Sequence, residues 1–288
     1  MYCMMWYVPW FIKKGEIKME MNIYLYIILF VMGTVFGSFY TLAVYRIPKN
    51  IDIIKKHSYC PNCNHKLGFF ELIPIFSYIF LGGKCKNCKQ KIRIRYLLLE
   101  VLSGISFVVL GLSIKLNIYT INIQTVILYV ITILYFTAIV LISGIDKEYR
   151  KIDKRLLTYG IIVSLIYMIY LYTVEITNIY RYAIYLAIYV ILLCIDTFFL
   201  KKKAKDSYIL DILILLTIIL SITNIQVFAM TTVMTIISIL IYMMIRKMYL
   251  KKRGNIKPKL KEVPIGFFIG ASNIIVIYGI TIIRMLEQ

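Results

Sequence analysis

Four of the six cysteines form two closely spaced pairs in one stretch of the chain, Cys60-Pro-Asn-Cys63 and Cys85-Lys-Asn-Cys88. A turn with this spacing presents two thiolates to one ion, and two such turns complete the tetrahedral four-sulfur site that Zn²⁺ prefers. The 21 residues between the pairs lengthen the connecting loop, whose closure entropy rises only slowly with length. We therefore predict a structural zinc site with Cys60, Cys63, Cys85 and Cys88 as its ligands.

Two disulfides are the alternative use of these cysteines. The surrounding loop is rich in lysine and arginine, which assigns it to the cytoplasm, where disulfides rarely persist. His65 is a substitute ligand, less favoured because four thiols are at hand. Cys3 and Cys194 have no partner in the sequence, and we interpret them as small apolar residues.

A second group of candidate residues is a set of carboxylates beside the apolar segments. Asp146 follows one long apolar run and Asp206 precedes another, and ionisable residues at such positions suggest a function or a partner. Two carboxylates brought close together share a proton, so that one activates water while the other hydrogen-bonds a substrate carbonyl. Position alone favours a solvated helix end over catalysis, and for Asp206 it fits a helix N-cap.

Apolar helices must position these groups, because 61% of the residues are hydrophobic and only 17% are charged. A membrane-spanning helix needs about 20 mostly apolar residues. We predict an all-α, polytopic membrane bundle of about eight transmembrane helices, with seven as an alternative because two candidates are short. The predicted spans are Ile23–Tyr45, Tyr96–Ile114, Ile123–Ile145, Leu156–Tyr172, Tyr180–Leu200, Tyr208–Ile222, Val227–Ile245 and Pro264–Ile283.

The net charge of +20 is distributed unevenly along the chain, since 28 of the 34 lysines and arginines fall in four alternate loops. These loops are residues 46–95, 147–155, 201–205 and 246–261. Alternation of this kind follows the positive-inside rule, so we assign the four loops to the cytoplasmic side of the membrane and both termini to the other side. Topology explains the basic charge better than nucleic-acid binding does.

We divide the chain into four parts. Residues 1–18 are an N-terminal extension, which suggests a misassigned start because Met19 and Met21 precede the first apolar run. The first transmembrane helix takes residues 19–45, the four-cysteine loop residues 46–95 and the remaining core residues 96–288. Within the loop, Leu67–Leu81 is apolar but short and is interrupted by Pro74, which favours an interfacial or re-entrant segment.

Several short sequences resemble, in the same order, the signatures of the prepilin peptidases, also called type IV leader peptidases. They include both cysteine pairs and, near them, Glu100. The others are Gly37-Ser38-Phe39, Arg46-Ile47-Pro48, Ile73-Pro74-Ile75-Phe76-Ser77-Tyr78, Ile145-Asp146 and Val263-Pro264-Ile265-Gly266-Phe267.

The resemblance implies a GxGD-type membrane aspartic protease that removes the leader of type IV prepilins or pseudopilins. It implies that Asp146 and Asp206 are the catalytic pair, acting at the cytoplasmic face. Many members also methylate the new N-terminus with S-adenosylmethionine, so this cofactor is a further expectation. The implied partners are prepilin-like substrates and the lipid bilayer, with no nucleic acid.

The chain departs from the family at the second aspartate. The family pattern is Gly-x-Gly-Asp-x-Lys, but residues 203–208 read Lys-Ala-Lys-Asp-Ser-Tyr, and the loss of glycines alters the loop that positions the acid. Asp211 and Asp196 are rivals for the second acid. A degenerate, non-catalytic homologue that acts in pilus or secretion assembly is the alternative function. A small transporter would leave the cysteine pairs unexplained.

Two roles are open for Glu100. It orients the metal loop or a bound cofactor, or it forms a structural ion pair with Arg93 or Arg95, since long basic side chains near helix ends reach toward the interface.

Overall fold

The computed structural model describes residues 19–53, 57–175, 179–195, 208–252 and 263–287. In these residues the long elements are all α-helices, and extended pairing is limited to two isolated bridges, Tyr59 with Lys66 and Lys84 with Lys91. The predicted all-α class is confirmed.

Each predicted apolar segment contains a helix, and the end of the fifth predicted span, residues 196–200, lies outside the described residues. Within the described residues, six of these helices are long and apolar enough to cross a membrane, and two are shorter apolar helices. The helices are α1 (Met19–Arg46), α2 (Phe76–Phe80), α3 (Arg95–Ser113), α4 (Ile123–Tyr149), α5 (Lys154–Glu175), α6 (Ile179–Cys194), α7 (Tyr208–Ile222), α8 (Ile225–Lys252) and α9 (Ile265–Leu286).

The described residues fall into two compact units, which meet in sequence between Tyr129 and Val130 of α4. The first unit contains α1, α2, α3 and the cysteine loop. The second contains the rest of α4 and the helices α5 to α9. The segment predicted as interfacial or re-entrant lies in the first unit and forms two short helices, a 3₁₀ turn at Phe69–Glu71 and α2.

In the first unit, α1 packs against α3 through glycines spaced four residues apart. A Cβ atom built on Gly33 would lie 2.6 Å from the carbonyl oxygen of Ser103, and one built on Gly37 would lie 2.8 Å from the Cβ of Ser103. Helices in membranes associate through close packing of this kind, for which small residues leave room. The two glycines therefore set the distance between α1 and α3.

In the second unit, buried polar side chains link helices that are distant in sequence. The Tyr135 hydroxyl of α4 donates to Asn273 Oδ1 of α9 at 2.8 Å, and Asn273 Nδ2 donates to Thr231 Oγ1 of α8 at 3.3 Å. All three residues are at most 2% exposed. Because hydrocarbon offers no alternative partner, such bonds add to the attraction between helices.

Another buried cluster links α5, α6 and α7. The Tyr189 hydroxyl of α6 lies 3.0 Å from the hydroxyl of Ser164 on α5 and 3.0 Å from that of Ser221 on α7. Polar contacts therefore tie α6 and α7, the two helices that are short for a membrane span, to the longer α5.

We expect Gly33→Ala to weaken the α1–α3 contact, because the added methyl group meets a backbone atom that cannot rotate away. The free energy of unfolding should fall by about 1–3 kcal/mol, as measured by thermal or denaturant unfolding in detergent micelles. The matched control is Gly279→Ala in α9, where an added Cβ meets open space. That control should be neutral or stabilising by up to about 1 kcal/mol, and equal stability of the two variants would contradict the packing argument.

Candidate functional site

The first cysteine turn is closed by backbone hydrogen bonds. The Cys60 N–H donates to the His65 carbonyl at 2.9 Å, and the Asn64 N–H donates back to the Cys60 carbonyl at 2.9 Å. Asn64 has a φ of 56°, a left-handed conformation that asparagine tolerates better than most residues. The turn thereby directs the Cys60 and Cys63 side chains to the same side.

The second turn repeats the first. The Cys85 N–H donates to the Gln90 carbonyl at 2.9 Å, the Lys89 N–H donates to the Cys85 carbonyl at 3.0 Å, and Lys89 has a φ of 57°. The two turns share the sequence pattern Cys-x-Asn-Cys and the same backbone hydrogen bonds. Together they present four sulfurs.

The four sulfurs meet in one cluster. Their Sγ atoms lie within 4.8 Å of one another, with Cys60 and Cys88 3.8 Å apart and Cys63 and Cys85 4.0 Å apart. A tetrahedral Zn²⁺ site with Zn–S bonds of about 2.3 Å places its sulfurs about 3.8 Å apart, whereas a disulfide is about 2.05 Å long. All four are free thiols. The predicted clustering is confirmed, and its geometry fits a metal ion better than two disulfides.

Asparagine side chains support the cluster from both turns. Asn62 Nδ2 donates to Cys88 Sγ at 3.5 Å, and Asn87 Nδ2 donates to Cys63 Sγ at 3.7 Å. The hydrogen bond from Asn62, followed by that from the Gln90 backbone N–H, lowers the pKa of the Cys88 thiol to about 6. A metal binds thiolates rather than thiols, so these donors favour the binding form. Sequence reasoning missed the asparagines, although each occupies the same place in its pair.

His65 takes a different role from the cysteines. Its Nε2 atom lies 3.1 Å from Glu71 Oε2, which also accepts the Gly68 backbone N–H at 2.8 Å. The Gly68 hydrogen bond, and then the His65 contact, lower the pKa of Glu71. His65 therefore pairs with a carboxylate beside the cluster, consistent with the cysteines alone as metal ligands.

Glu100 connects α3 to the cysteine loop. Its Oε2 atom accepts the Ile75 backbone N–H at 2.8 Å, and its carboxylate also bonds the Ser38 side chain of α1. Of the two interpretations of Glu100, orientation of the loop thus has direct contacts in its favour.

Asp146 lies near the end of α4 and is fully buried, with 0% of its surface exposed. The Tyr208 hydroxyl, on the first residue of α7, lies 2.9 Å from Asp146 Oδ1 and 3.1 Å from Oδ2. The Phe267 backbone N–H of α9 donates to Oδ2 at 3.0 Å. The carboxyl group therefore lies where the ends of three helices meet.

The first turn of α9 shapes this site. The Ile265 N–H donates to the Tyr208 hydroxyl oxygen at 3.0 Å, and a Cβ built on Gly266 would lie 3.1 Å from Asp146 Oδ2. A helix N-terminus carries unpaired N–H groups and a partial positive charge, both of which favour a carboxylate. The glycine leaves room for the carboxyl group to approach this end of α9.

Tyr208 is the residue that sequence reasoning missed. It occupies the position at which the family pattern Gly-x-Gly-Asp-x-Lys has its lysine, with Asp206 two positions before it. A tyrosine hydroxyl and a lysine ammonium both donate hydrogen bonds. The replacement of the family's lysine by a tyrosine at position 208 was therefore the sequence signal for a hydrogen-bond donor at this site.

The structure describes some of the other candidate acids and not others. Asp206 and Asp196 lie outside the described residues. Asp211 is buried in the first turn of α7, three positions after Tyr208. The Asp153 carboxylate bonds the backbone N–H and the guanidinium of Arg155 at the start of α5. Asp153 is thus a helix cap.

Comparison with known proteins finds similarity over part of the chain. The family model described as Bacterial Peptidase A24 N-terminal domain matches residues 31–114. A protein of Bacillus subtilis named Prepilin leader peptidase/N-methyltransferase is 37% identical over 134 residues, which cover 46% of this chain and 50% of that protein. A protein of the same name from Vibrio cholerae is 33% identical over 129 residues, covering 36% of this chain and 51% of that protein.

The chain therefore spans about half the length of these relatives. No solved structure matches it. The similarity includes the cysteine turns, Glu100 and the paired helices α1 and α3, which are the features of the first unit described above. This similarity supports a relationship to the prepilin peptidase family.

Proposed function

We propose that this protein is a membrane aspartic endopeptidase that removes the leader peptide of type IV prepilins or pseudopilins. The observation that carries the proposal is the burial of Asp146 where α4, α7 and α9 meet. A buried acid at converging helix ends is costly and is best explained by chemistry.

The second acid of the proposed pair is Asp206. It precedes Tyr208 by two positions, and Tyr208 contacts Asp146 directly, so chain connectivity supports its assignment to the same helix end. In the proposed reaction, the ionised carboxylate takes a proton from water, and the oxygen of that water attacks the scissile carbonyl. The protonated carboxyl group hydrogen-bonds the carbonyl oxygen, and a proton then passes to the departing amine as the C–N bond breaks.

We assign the site to the cytoplasmic face of the bacterial inner membrane. Asp146 directly precedes the basic loop of residues 147–155, and the ends of α7 and α9 that meet it also follow basic loops. By the positive-inside rule all three ends lie on the same, cytoplasmic side. A prepilin that inserts an apolar helix into the bilayer would present its leader there.

The cysteine cluster is proposed to hold one structural Zn²⁺ ion. The spacing of its sulfurs and the asparagine donors support this assignment, and four protein ligands leave no open position for a catalytic water. The ion would cross-link the two turns and so hold together a loop with little core of its own.

Methylation with S-adenosylmethionine is a further proposal. The relatives are named N-methyltransferases as well as peptidases, and leader removal exposes the amine that such a reaction would methylate. We assign no residue of this chain to the cofactor.

A non-catalytic role in pilus or secretion assembly is the second candidate function. It is favoured by the lysines that replace both glycines before Asp206. It is also compatible with Asp146 acting as a cap for the N-terminus of α9, a role that carboxylates favour.

Replacement of Asp146 by asparagine tests the catalytic pair. We expect removal of the leader from a co-expressed prepilin to slow about 10²–10⁴-fold, since a general acid–base group is lost, and the same loss for Asp206→Asn. Immunoblots that resolve precursor from mature pilin measure it. The control is Glu148→Gln, an exposed acid two residues further along α4, which should process normally.

Unimpaired processing by both aspartate variants would refute the pair. Loss on Asp211→Asn combined with normal processing by Asp206→Asn would instead make Asp211 the second acid. If the unmutated protein leaves every prepilin of its own cell uncleaved, the assembly role is favoured.

Tyr208→Phe tests the hydroxyl that contacts Asp146. Loss of a hydrogen bond to a buried, charged group costs about 1–3 kcal/mol, so we expect slower leader removal from the same substrate. Tyr159→Phe is the matched control, because it removes a hydroxyl that bonds the Leu134 backbone carbonyl in the same unit. Tyr208→Lys restores the residue of the family pattern and should retain more activity than Tyr208→Phe. Equal activity of all three variants would exclude a role for Tyr208.

Metal analysis of the purified protein tests the zinc site. We expect about one Zn²⁺ per chain, lost in Cys88→Ser together with thermal stability of the loop. Cys194→Ser is the control, because Cys194 is an exposed cysteine at the end of α6, far along the chain from the cluster, and its replacement should leave the zinc content unchanged. Zinc retained by Cys88→Ser, or absent from the unmutated protein, would contradict the assignment.

A further inference from the structure

The cysteine loop carries an unusually apolar surface, the aromatic segment of residues 69–80. The exposed fractions of its phenylalanines are 78% for Phe69, 80% for Phe70, 58% for Phe76 and 83% for Phe80. Contiguous apolar surface of this kind rarely faces water and marks an interaction site. The question is what covers it.

The rings of the aromatic segment are arranged in two pairs. Phe76 and Phe80, one helical turn apart on α2, are stacked with centroids 6.4 Å apart, and Phe69 and Phe70 meet edge to face at 5.7 Å. These rings contact each other and remain exposed, so they form an outward-facing surface of the loop.

A hydrogen bond fixes the depth of the aromatic segment relative to the membrane. Glu100, which accepts the Ile75 N–H at 2.8 Å, is the sixth residue of α3. At about 1.5 Å per residue it lies roughly 7 Å along the helix from Arg95. Because α3 is long and apolar enough to span a bilayer, the middle of the segment lies beside the first turns of a membrane helix.

The backbone at this contact is held in a strained conformation. Ile75 has φ 64° and ψ −55°, and the Phe76 N–H donates to the Pro74 carbonyl at 2.6 Å, which closes a rare type of γ-turn. A β-branched residue at positive φ persists only where its surroundings enforce it. Glu100 on α3 provides that constraint through its hydrogen bond with the Ile75 N–H.

The charges around the aromatic segment fit a lipid surface. No lysine or arginine lies between Leu67 and Gly83. Exposed basic residues flank this apolar stretch, namely Lys66, Lys84, Lys86, Lys91 and Arg93. Aromatic rings at the level of the headgroups and basic side chains beside lipid phosphates are the pattern of membrane interfaces.

We propose that residues 69–80 are an interfacial membrane anchor for the metal loop. The phenylalanine rings enter the boundary between headgroups and acyl chains in the leaflet that contains the first turns of α3, and the flanking basic residues face anionic headgroups. The occupant of this surface is lipid rather than a protein partner, because the contact between Glu100 and Ile75 already places the segment at membrane depth. The inference is independent of the proposed proteolysis.

The test is tryptophan fluorescence of the full-length protein in nanodiscs of phosphatidylcholine and phosphatidylglycerol. Trp6 and Trp10, the two tryptophans of the chain, are first replaced by phenylalanine, and Phe80→Trp is then introduced. We expect the emission to be blue-shifted and mostly lost when the lipids carry bromine on acyl carbons near the headgroup. Insertion to about 5–10 Å predicts weaker quenching when the bromines lie near the chain ends.

Phe70→Trp is the second probe, so that the result does not depend on one substitution. Pro61→Trp, exposed in the first cysteine turn outside the aromatic segment, is the control, and we expect aqueous iodide rather than brominated lipid to quench it. Iodide quenching of Phe80→Trp and Phe70→Trp, with no effect of brominated lipid, would overturn the proposal and mark the segment as a surface for a protein partner.

Discussion

A bilayer contains no water to hydrogen-bond buried polar groups, and the structure of this chain depends on that constraint. Several polar side chains within the second unit pair with one another across helices, as Tyr135 does with Asn273 and Tyr189 does with Ser164. Asp146 is the most demanding case, because a carboxyl group is far costlier to bury than a hydroxyl. Hydrogen bonds from two donors, the Tyr208 hydroxyl and the Phe267 N–H, explain how the helix ends tolerate it.

The same constraint links the candidate site to the packing around it. Tyr208 serves both the Asp146 carboxyl group and the first N–H of α9, so a single hydroxyl joins three helix ends. The approach of α9 depends on Gly266, beside which the carboxyl group lies. The candidate catalytic acid and the packing of its neighbours are therefore parts of one arrangement, and a change at any of these residues alters the contacts of the others.

The cysteine loop is ordered in a different way from the helices. Among its described residues the buried apolar side chains are those of Cys60 and Cys85, and its four phenylalanines are exposed. Order comes from two repeated turns that converge on four sulfurs and from the hydrogen bond of Ile75 to Glu100 on α3. A metal ion in the cluster and lipid beneath the aromatic rings would supply the cohesion that a core supplies elsewhere.

The sequence by itself determined the all-α class, the helix positions and the clustering of four cysteines, and it singled out Asp146 as a candidate. Long apolar runs and the Cys-x-x-Cys spacing are local patterns, and local patterns can be read along the chain. Only the tertiary structure decided that Tyr208 and the first turn of α9 contact Asp146 and that Glu100 holds Ile75 in a strained turn. These partners are separated by 25 to 121 positions. No periodicity records contacts of that range, because they arise from the packing of whole helices rather than from neighbouring residues.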